Sequence, residues 1–539
     1  MEYYDSLGIM IDCSRNAVPN VPRLKSFISL ISKMGYNTLF LYTEDTYEVD
    51  DEEYFGSKRG RYSKVELKEI DDYAYSCGIE VVPFIQTLAH LASLKRWREY
   101  RHHVFDIDDI LLVDNERTTR LITNMVKTMS ETIRSKRIHI GFDEAHHIGL
   151  GTYLDKHGYT DRRSLLLKHL NQVCEITKQF GYEKVMLAND LFFSMAPGVF
   201  SVDEEIDFPK EIKDAVPKEC EMVYWDYFST DEKRYKAMMQ SSKKLTENIW
   251  FSGGCWTWNT FSPHNRYSIE RNTIAIKQCK ENGIRNAFFT LWGDDGGECA
   301  YEMVLPAIMH AACAFKGIGE EQMKEEFKEL TGEDFDTFLH MDYPNYIFGE
   351  DVKVESKYFQ HSASNYAKTH FYDDPFLGIM SVNFDKCKKT QMKEYASILK
   401  NDADNSKNYK VFYTTLSSLC SVLSEKLLLA KETRKAYEEH NMDKLINIAF
   451  SKYSDAILKL TEFHKNYRLQ WELVNKPFGF EIQDARIGGL IMRLSTCRER
   501  ILELVSGKVE KIEELEEPAL PMDDTYITSW GEMISANNI

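Results

Sequence analysis

The chain has 539 residues, 43% of them hydrophobic, enough to bury a large core and to divide into at least two domains. Its net charge of −18 excludes a protein that grips nucleic acid through basic surface and gives no attraction to anionic membranes. Apolar runs are too short to cross a bilayer, the first residues are acidic and polar, and the eleven cysteines are scattered without a Cys-x-x-Cys pair. That usage predicts reduced thiols in a cytoplasmic protein, with neither a zinc site nor a disulfide framework.

Up to about residue 315, short apolar runs alternate with amphipathic segments. Strands are predicted at 7–12, 37–42, 80–85, 137–142, 184–188, 221–225, 249–253 and 287–291. Helices are predicted at 21–34, where Leu24, Phe27, Ile28 and Ile31 mark one face, and near 64–77, 117–135, 163–180 and 267–282. Eight such units have the size and rhythm of a (β/α)8 barrel over residues 1–315. A doubly wound open sheet is the structural alternative, but no Gly-x-Gly-x-x-Gly turn comes after the first strand. Residues 316–385 are irregular and rich in Phe, Tyr and Asp. Beyond them Phe412, Leu416, Leu419, Leu423 and Leu427 keep helical spacing, as do Tyr453, Ile457, Leu460, Phe463, Tyr467 and Trp471, and Ile487, Leu490, Leu494, Ile501 and Leu504. These are core stripes of a mainly helical domain over 316–539, broken at Asn475-Lys476-Pro477-Phe478-Gly479 as by a turn.

In such a barrel, chemistry sits where strands end and the next loops begin. Those positions hold Asp12-Cys13-Ser14-Arg15, Glu44-Asp45, Gln86 and His90, Asp143-Glu144, Asn189-Asp190, Tyr224-Trp225-Asp226-Tyr227, Trp256-Thr257-Trp258 and Trp292-Gly293-Asp294-Asp295. An Asp-Glu pair alone is more often a strand ending in solvated acids, and a single Trp is more often core. The coincidence is harder to explain blandly. Four of the eight tryptophans stand beside carboxylates and one Arg, the combination that stacks on a sugar's CH faces and meets its hydroxyls.

These residues resemble glycoside hydrolase family 20, the β-N-acetylhexosaminidases. The family's Gly-x-Asp-Glu at strand four, preceded by His or Asn, is matched by His139-Ile140-Gly141-Phe142-Asp143-Glu144. Its Asp-x-x-Arg at strand one is matched by Asp12 to Arg15, and its Trp-x-acid at strand eight by Trp292-Gly293-Asp294, with Asp for the usual Glu. Its strand-three Pro and the His seven residues on are matched by Pro83 and His90. The resemblance covers about residues 7 to 300. Three departures stand out: an extra α/β domain usually precedes the family's barrel, the strand-three acids are replaced in Pro83-Phe84-Ile85-Gln86, and the strand-seven Tyr-x-Asp is missing.

The resemblance implies an exo-acting, retaining hydrolase that removes terminal GlcNAc or GalNAc from small oligosaccharides or glycoconjugates. Adjacent carboxylates do not obviously supply a nucleophile and an acid on opposite sides of a bond, whereas attack by the substrate's own acetamido oxygen removes that difficulty. Asp143 then holds and charge-stabilises the amide, Glu144 protonates the leaving oxygen with a raised pKa, and Tyr227, with Tyr224 behind it, holds the acetamido group. His90 is expected to contact Glu144 and to be oriented by Glu44. Arg15 and Asp294 are expected to grip outer hydroxyls, and Asn189, Trp225, Asp226, Trp256, Trp258 and Trp292 to complete the sugar site. No cofactor or metal is called for, and His146-His147 reads as a loop pair, since adjacent residues seldom chelate one ion. Two alternatives stay open: another acetamido-assisted barrel hydrolase acting on O-GlcNAc, and a catalytically retired sugar-binding barrel. A chitinase is not among them, for its Asp-x-x-Asp-x-Asp-x-Glu run is absent. The helical domain is open to three roles: packing on the barrel, a homodimer interface, or a loop at the active-site mouth.

Overall fold

Eight short runs rich in Leu, Ile, Val, Phe and Met become the eight parallel strands of a closed barrel in the computed structural model. They are β1 (Ser6–Asp12), β2 (Thr38–Tyr42), β3 (Glu80–Phe84), β4 (Arg137–His139), β5 (Lys184–Ala188), β6 (Cys220–Trp225), β7 (Ile249–Gly254) and β8 (Asn286–Leu291), paired in chain order, with β8 returning to β1. Closure excludes the open doubly wound sheet. The strands are buried almost throughout, which is why they read as continuous apolar runs. The structure describes residues 4–195, 199, 201–349, 366–383, 387–519, 521, 529–535 and 537. Of the irregular stretch 316–385, positions 350–365 and 384–385 lie outside the described residues.

Inside the barrel, Met10, Phe40, Val82, Met186, Trp250 and Phe288 pack as one cluster. Gly8 makes room for it. A Cβ there would come within 2.9 Å of the Phe40 ring and 3.1 Å of Phe288, two rings whose centroids lie 4.4 Å apart. The helices start and stop on local chemistry. Val21–Met34 opens with the Asn20 side chain accepting from the Arg23 amide and closes on Gly35 at φ 98°. Lys64–Ser76 opens with a reciprocal Ser63–Glu66 capping box.

One strand departs from expectation in a way that matters. β4 ends at His139 rather than at residue 142, because Gly141 and Phe142 both take positive φ, 77° and 75°. The chain leaves the sheet three residues early, and the acid pair lies on a turn.

By contacts the chain divides into two compact units. The first holds the barrel strands and most of their helices. The second holds the C-terminal helices together with residues 256–267 and 293–306, the segments directly after β7 and β8. Within the second unit, helices Lys410–Lys426, Ser454–Val474 and Phe480–Val505 bury Phe412, Leu416, Leu419, Leu460, Phe463, Leu490 and Leu494. The 475–479 break is the turn between the last two. Among the described residues no helix is long and apolar enough to cross a membrane.

Candidate active site

The turn after β4 is built from strained backbone. Phe142 and Glu144 are left-handed at φ 75° and 56°, as are Glu44 after β2 (41°) and His90 after β3 (59°). Non-glycine residues in this region cost on the order of 1–3 kcal/mol each and persist where surroundings over-determine them, most often at functional sites. Gly141 is required. A Cβ there would fall 1.9 Å from the Gln86 side-chain oxygen. His139, stacked on Phe84 with centroids 3.6 Å apart, receives the Gly141 N–H on Nδ1 at 3.1 Å, and burial holds its pKa down at about 3. A neutral imidazole therefore supports the turn.

Asp143 is clamped from two sides. Gln86 Nε2 donates to Oδ1 at 2.9 Å, and His90 Nε2 lies 3.1 Å from Oδ2. Burial alone would raise the Asp143 pKa, but His90 and then Gln86 outweigh it and hold the carboxyl well below the usual range. In the same way burial works to lower the His90 pKa, and Asp143 overrides it, raising it to about 10. The pair is ionised at neutral pH. Glu144 comes within 3.5 Å of the same His90 nitrogen, and half of its side-chain surface stays open to solvent. One imidazolium thus faces both acids, one locked as an anion and the other presented to solvent.

Asp190, the first residue after Asn189 at the end of β5, is buried and accepts the Glu144 backbone N–H at 3.0 Å and the Trp225 indole N–H at 3.4 Å. Burial, reinforced by the charge of Asp143, raises its pKa to about 7. Trp225 stacks on Tyr227, centroids 5.3 Å apart, and the Tyr227 oxygen accepts the Trp292 indole N–H at 3.0 Å. Burial raises the Tyr227 pKa, so the phenol stays protonated. Trp292 in turn lies edge-on to Tyr42 at 4.7 Å. Three partly exposed aromatics from the ends of β6 and β8 form one wall.

Beyond that wall, Arg15 reaches Asp12 at 3.1 Å and Glu44 at 3.4 Å, with its guanidinium 5.2 Å from the ring centres of both Tyr42 and Trp292. Tyr42 donates to Glu44 at 3.0 Å. Burial pushes the Glu44 pKa up to about 7, with Arg15 pulling against it. The cluster is acid-rich: Asp12, Glu44, Asp143, Glu144 and Asp190 surround two cations, Arg15 and His90. A cluster with a fixed anion, an open acid, an aromatic wall and one guanidinium suits a polar ring carrying an amide and hydroxyls.

Comparison with known proteins agrees with this chemistry. Residues 4–253 match the family model for the glycosyl hydrolase family 20 catalytic domain, and residues 336–534 match the glycoside hydrolase 20C C-terminal domain. The chain belongs to glycoside hydrolase family 20. It is a glycoside hydrolase of the β-N-acetylhexosaminidase family, whose substrates end in GlcNAc or GalNAc. Bovine hexosaminidase D is 23% identical over 279 residues, which cover 50% of this chain and 75% of that protein. Human hexosaminidase D is 25% identical over 221 residues, 40% of this chain and 43% of the human one. Among solved structures, the Vibrio harveyi exo-β-N-acetylglucosaminidase superposes with a TM-score of 0.45 at 13% identity, over 64% of this chain and 58% of that one. A Bacteroides fragilis β-N-acetylhexosaminidase gives 0.45 at 20%, over 63% and 69%. The chain thus spans less than two thirds of the human and Vibrio proteins.

Several expectations for this family 20 site are corrected by the geometry. His90 does contact Glu144, at 3.5 Å, but lies closer to Asp143, and its other nitrogen faces Asp109 at 4.0 Å; Glu44, bonded to Arg15 and Tyr42, acts on His90 through its charge alone. Trp256 and Trp258 belong to the second unit, 2% and 4% exposed, and are stacked on each other at 3.8 Å. The faces they turn to one another are closed to a sugar, which leaves Trp225 and Trp292 as the partly exposed pair of the four. Asn189 is fully buried and donates to Ser242 at 2.7 Å, a bond that ties β5 to the helix Glu232–Ser242. Asp226 receives the Tyr224 hydroxyl and the amides of Phe228 and Ser229, so it shapes the turn after β6. Asp294, by contacts, is part of the second unit, where its carbonyl accepts the Asn259 amide at 3.0 Å. Sequence reasoning gave no role to Gln86, Asp109 or Asp190. Gln86 registers in sequence only as a lost acid, and Asp109 lies in a loop without a pattern. Asp190 had a signal, as the second of two polar residues ending a buried strand.

Proposed function

We propose that this enzyme cleaves terminal, non-reducing β-linked GlcNAc or GalNAc with retention, the substrate's 2-acetamido oxygen acting as nucleophile. The observation that carries the reading is Asp143 held as an anion by His90 and Gln86 beside a half-exposed Glu144. An anion fixed in advance is worth most where positive charge develops, and the acetamido group becomes cationic as it attacks the anomeric carbon. In the first step that oxygen bonds to the anomeric carbon while Glu144 delivers its proton to the departing glycosidic oxygen. In the second, Glu144 takes a proton from water, the water oxygen bonds to the anomeric carbon from the vacated side, and the amide re-forms. Tyr227, whose oxygen accepts the Trp292 N–H, is assigned to the acetamido group, and Trp225 and Trp292 to the sugar's apolar face. Arg15 is assigned to the outer hydroxyls. No step needs a cofactor or metal. We place the enzyme in the cytoplasm on its eleven scattered cysteines, thiols that a reducing compartment keeps.

Paired aryl substrates test this. The aryl N-acetyl-β-glucosaminide should be hydrolysed and the aryl β-glucoside, lacking the internal nucleophile, scarcely at all. A thiazoline mimic of the cyclised intermediate should inhibit strongly. A glycosyl ester trapped on any Asp or Glu would overturn the substrate-assisted reading.

A further inference from the structure

We propose that Asp190 is a positioning residue that fixes the general acid and the sugar-facing indole against each other. The inference rests on the reading of Glu144 as the acid given above. Asp190 begins a six-residue helix, Asp190–Met195, yet both of its oxygens leave that helix. Oδ2 accepts the backbone N–H of Glu144, and Oδ1 accepts the indole N–H of Trp225. The two donors come from different strand ends, β4 and β6, and Asp190 comes from β5 between them. One carboxylate therefore ties the acid's backbone to the aromatic wall.

Two features show that this tie is more than packing. The turn it holds is strained, with Gly141, Phe142 and Glu144 all at positive φ, so without an external acceptor Glu144 has a lower-energy backbone to relax into. Asp190 is also a costly residue to keep. It is 3% exposed, makes no ion pair among the described residues, and lies within the field of Asp143 and Glu144, both of its own sign. A buried carboxylate without a cation is retained only where its acceptors are needed. Asn has nearly the same shape but one acceptor oxygen. Its NH2 would face either the Glu144 N–H or the Trp225 N–H, donor against donor.

The test is a kinetic series on the purified full chain with aryl N-acetyl-β-glucosaminides of graded leaving-group pKa. Displacing an acid slows the reactions that need the proton and spares those that do not. Asp190→Asn should lower kcat about ten- to a hundredfold for the poorest leaving groups, the scale of a small misplacement, and under about threefold for the best. Trp225→Phe, which removes the indole N–H donor together with part of the sugar-facing ring and keeps Asp190, should show a weaker kcat loss with the same leaving-group dependence, the lost ring acting equally across the series. It decides the matter if Asp190→Asn does not fold. A kcat loss that is equal across the series, or no loss in either variant, overturns the assignment and leaves Asp190 as packing. A parent chain inactive on every member of the series overturns the functional reading, and this inference with it.

Discussion

The charge cluster at the strand ends of the barrel and the one built on the loop after β8 use the same side-chain types to opposite ends. In the second unit, Lys368 and Arg486 meet Asp295 and Glu298: Lys368 lies 2.7 Å from Asp295 and also pairs with Glu298, and Arg486 lies 3.3 and 3.1 Å from the two acids. Two cations answer two anions, with Lys368 fully buried. At the barrel mouth Asp12, Glu44, Asp109, Asp143 and Glu144 face Arg15 or His90, and Asp190 is buried with no ion pair among the described residues. Burial, more than the surplus of acids, shows in the protons: it is the largest cause of the raised pKa at Glu44 and Asp190, and it also raises Glu298 in the second cluster. Glu44 and Asp190 are both raised to about 7, while Asp143, the acid with the closest claim on His90, stays fully ionised. In the second cluster two cations pull against the burial of Glu298, whereas at the barrel mouth burial without a matching cation leaves Glu44 and Asp190 titrating near neutral pH, where acid–base chemistry works.

The sharpest way to break this contrast is to remove the fixed anion. Asp143→Asn keeps the shape and the Gln86 neighbour but discards the charge that meets the cationic amide. We expect kcat to fall by about three orders of magnitude with KM little changed, because the loss falls on the transition state. Steady-state kinetics on the purified variant decide it. A raised KM with kcat spared would make Asp143 a binding group and remove the distinction between the clusters.

The balanced cluster should answer differently. Lys368→Met strands Asp295 and Glu298 with Arg486 alone, and breaking one partner of a buried ion network costs about 3–5 kcal/mol. A lowered unfolding midpoint in urea is the expected result, with kcat of the remaining folded enzyme close to the parent's. Should kcat collapse while the midpoint holds, the Lys368 cluster would be part of the catalytic machinery and the comparison would fail.

The same physics decides how much of this was legible in the sequence. Strands buried on both faces announce themselves as apolar runs, so the barrel and the ends of its strands could be read, and with them Arg15, Asp143 and Trp292. The loops beyond those ends could not. Whether a tryptophan faces solvent or another tryptophan depends on packing between segments, so Trp256 and Trp258 looked identical to Trp225 and Trp292. The early exit of β4 depends on Phe142 tolerating positive φ, which its residue type disfavours. Sequence adjacency also hid direction, since Asn189 turns to Ser242 while Asp190 turns to Glu144 and Trp225.

The smallest effect concerns Glu44 and pH. Its pKa is about 7 in the folded chain against 4.5 as the ordinary value, so between those limits the folded state keeps a proton that the unfolded chain has released. Stability therefore falls as pH rises through that window. The contribution is fully present below about pH 4.5 and gone above about pH 7, a few kcal/mol at most. Asp190 titrates in the same window with the same sign, so Glu44→Gln should flatten the stability profile without levelling it. Urea midpoints at intervals from about pH 4.5 to about pH 8 measure this. Parallel profiles for parent and variant would mean that Arg15 fully compensates Glu44, and the barrel-mouth cluster would then be as balanced at that position as the one around Lys368.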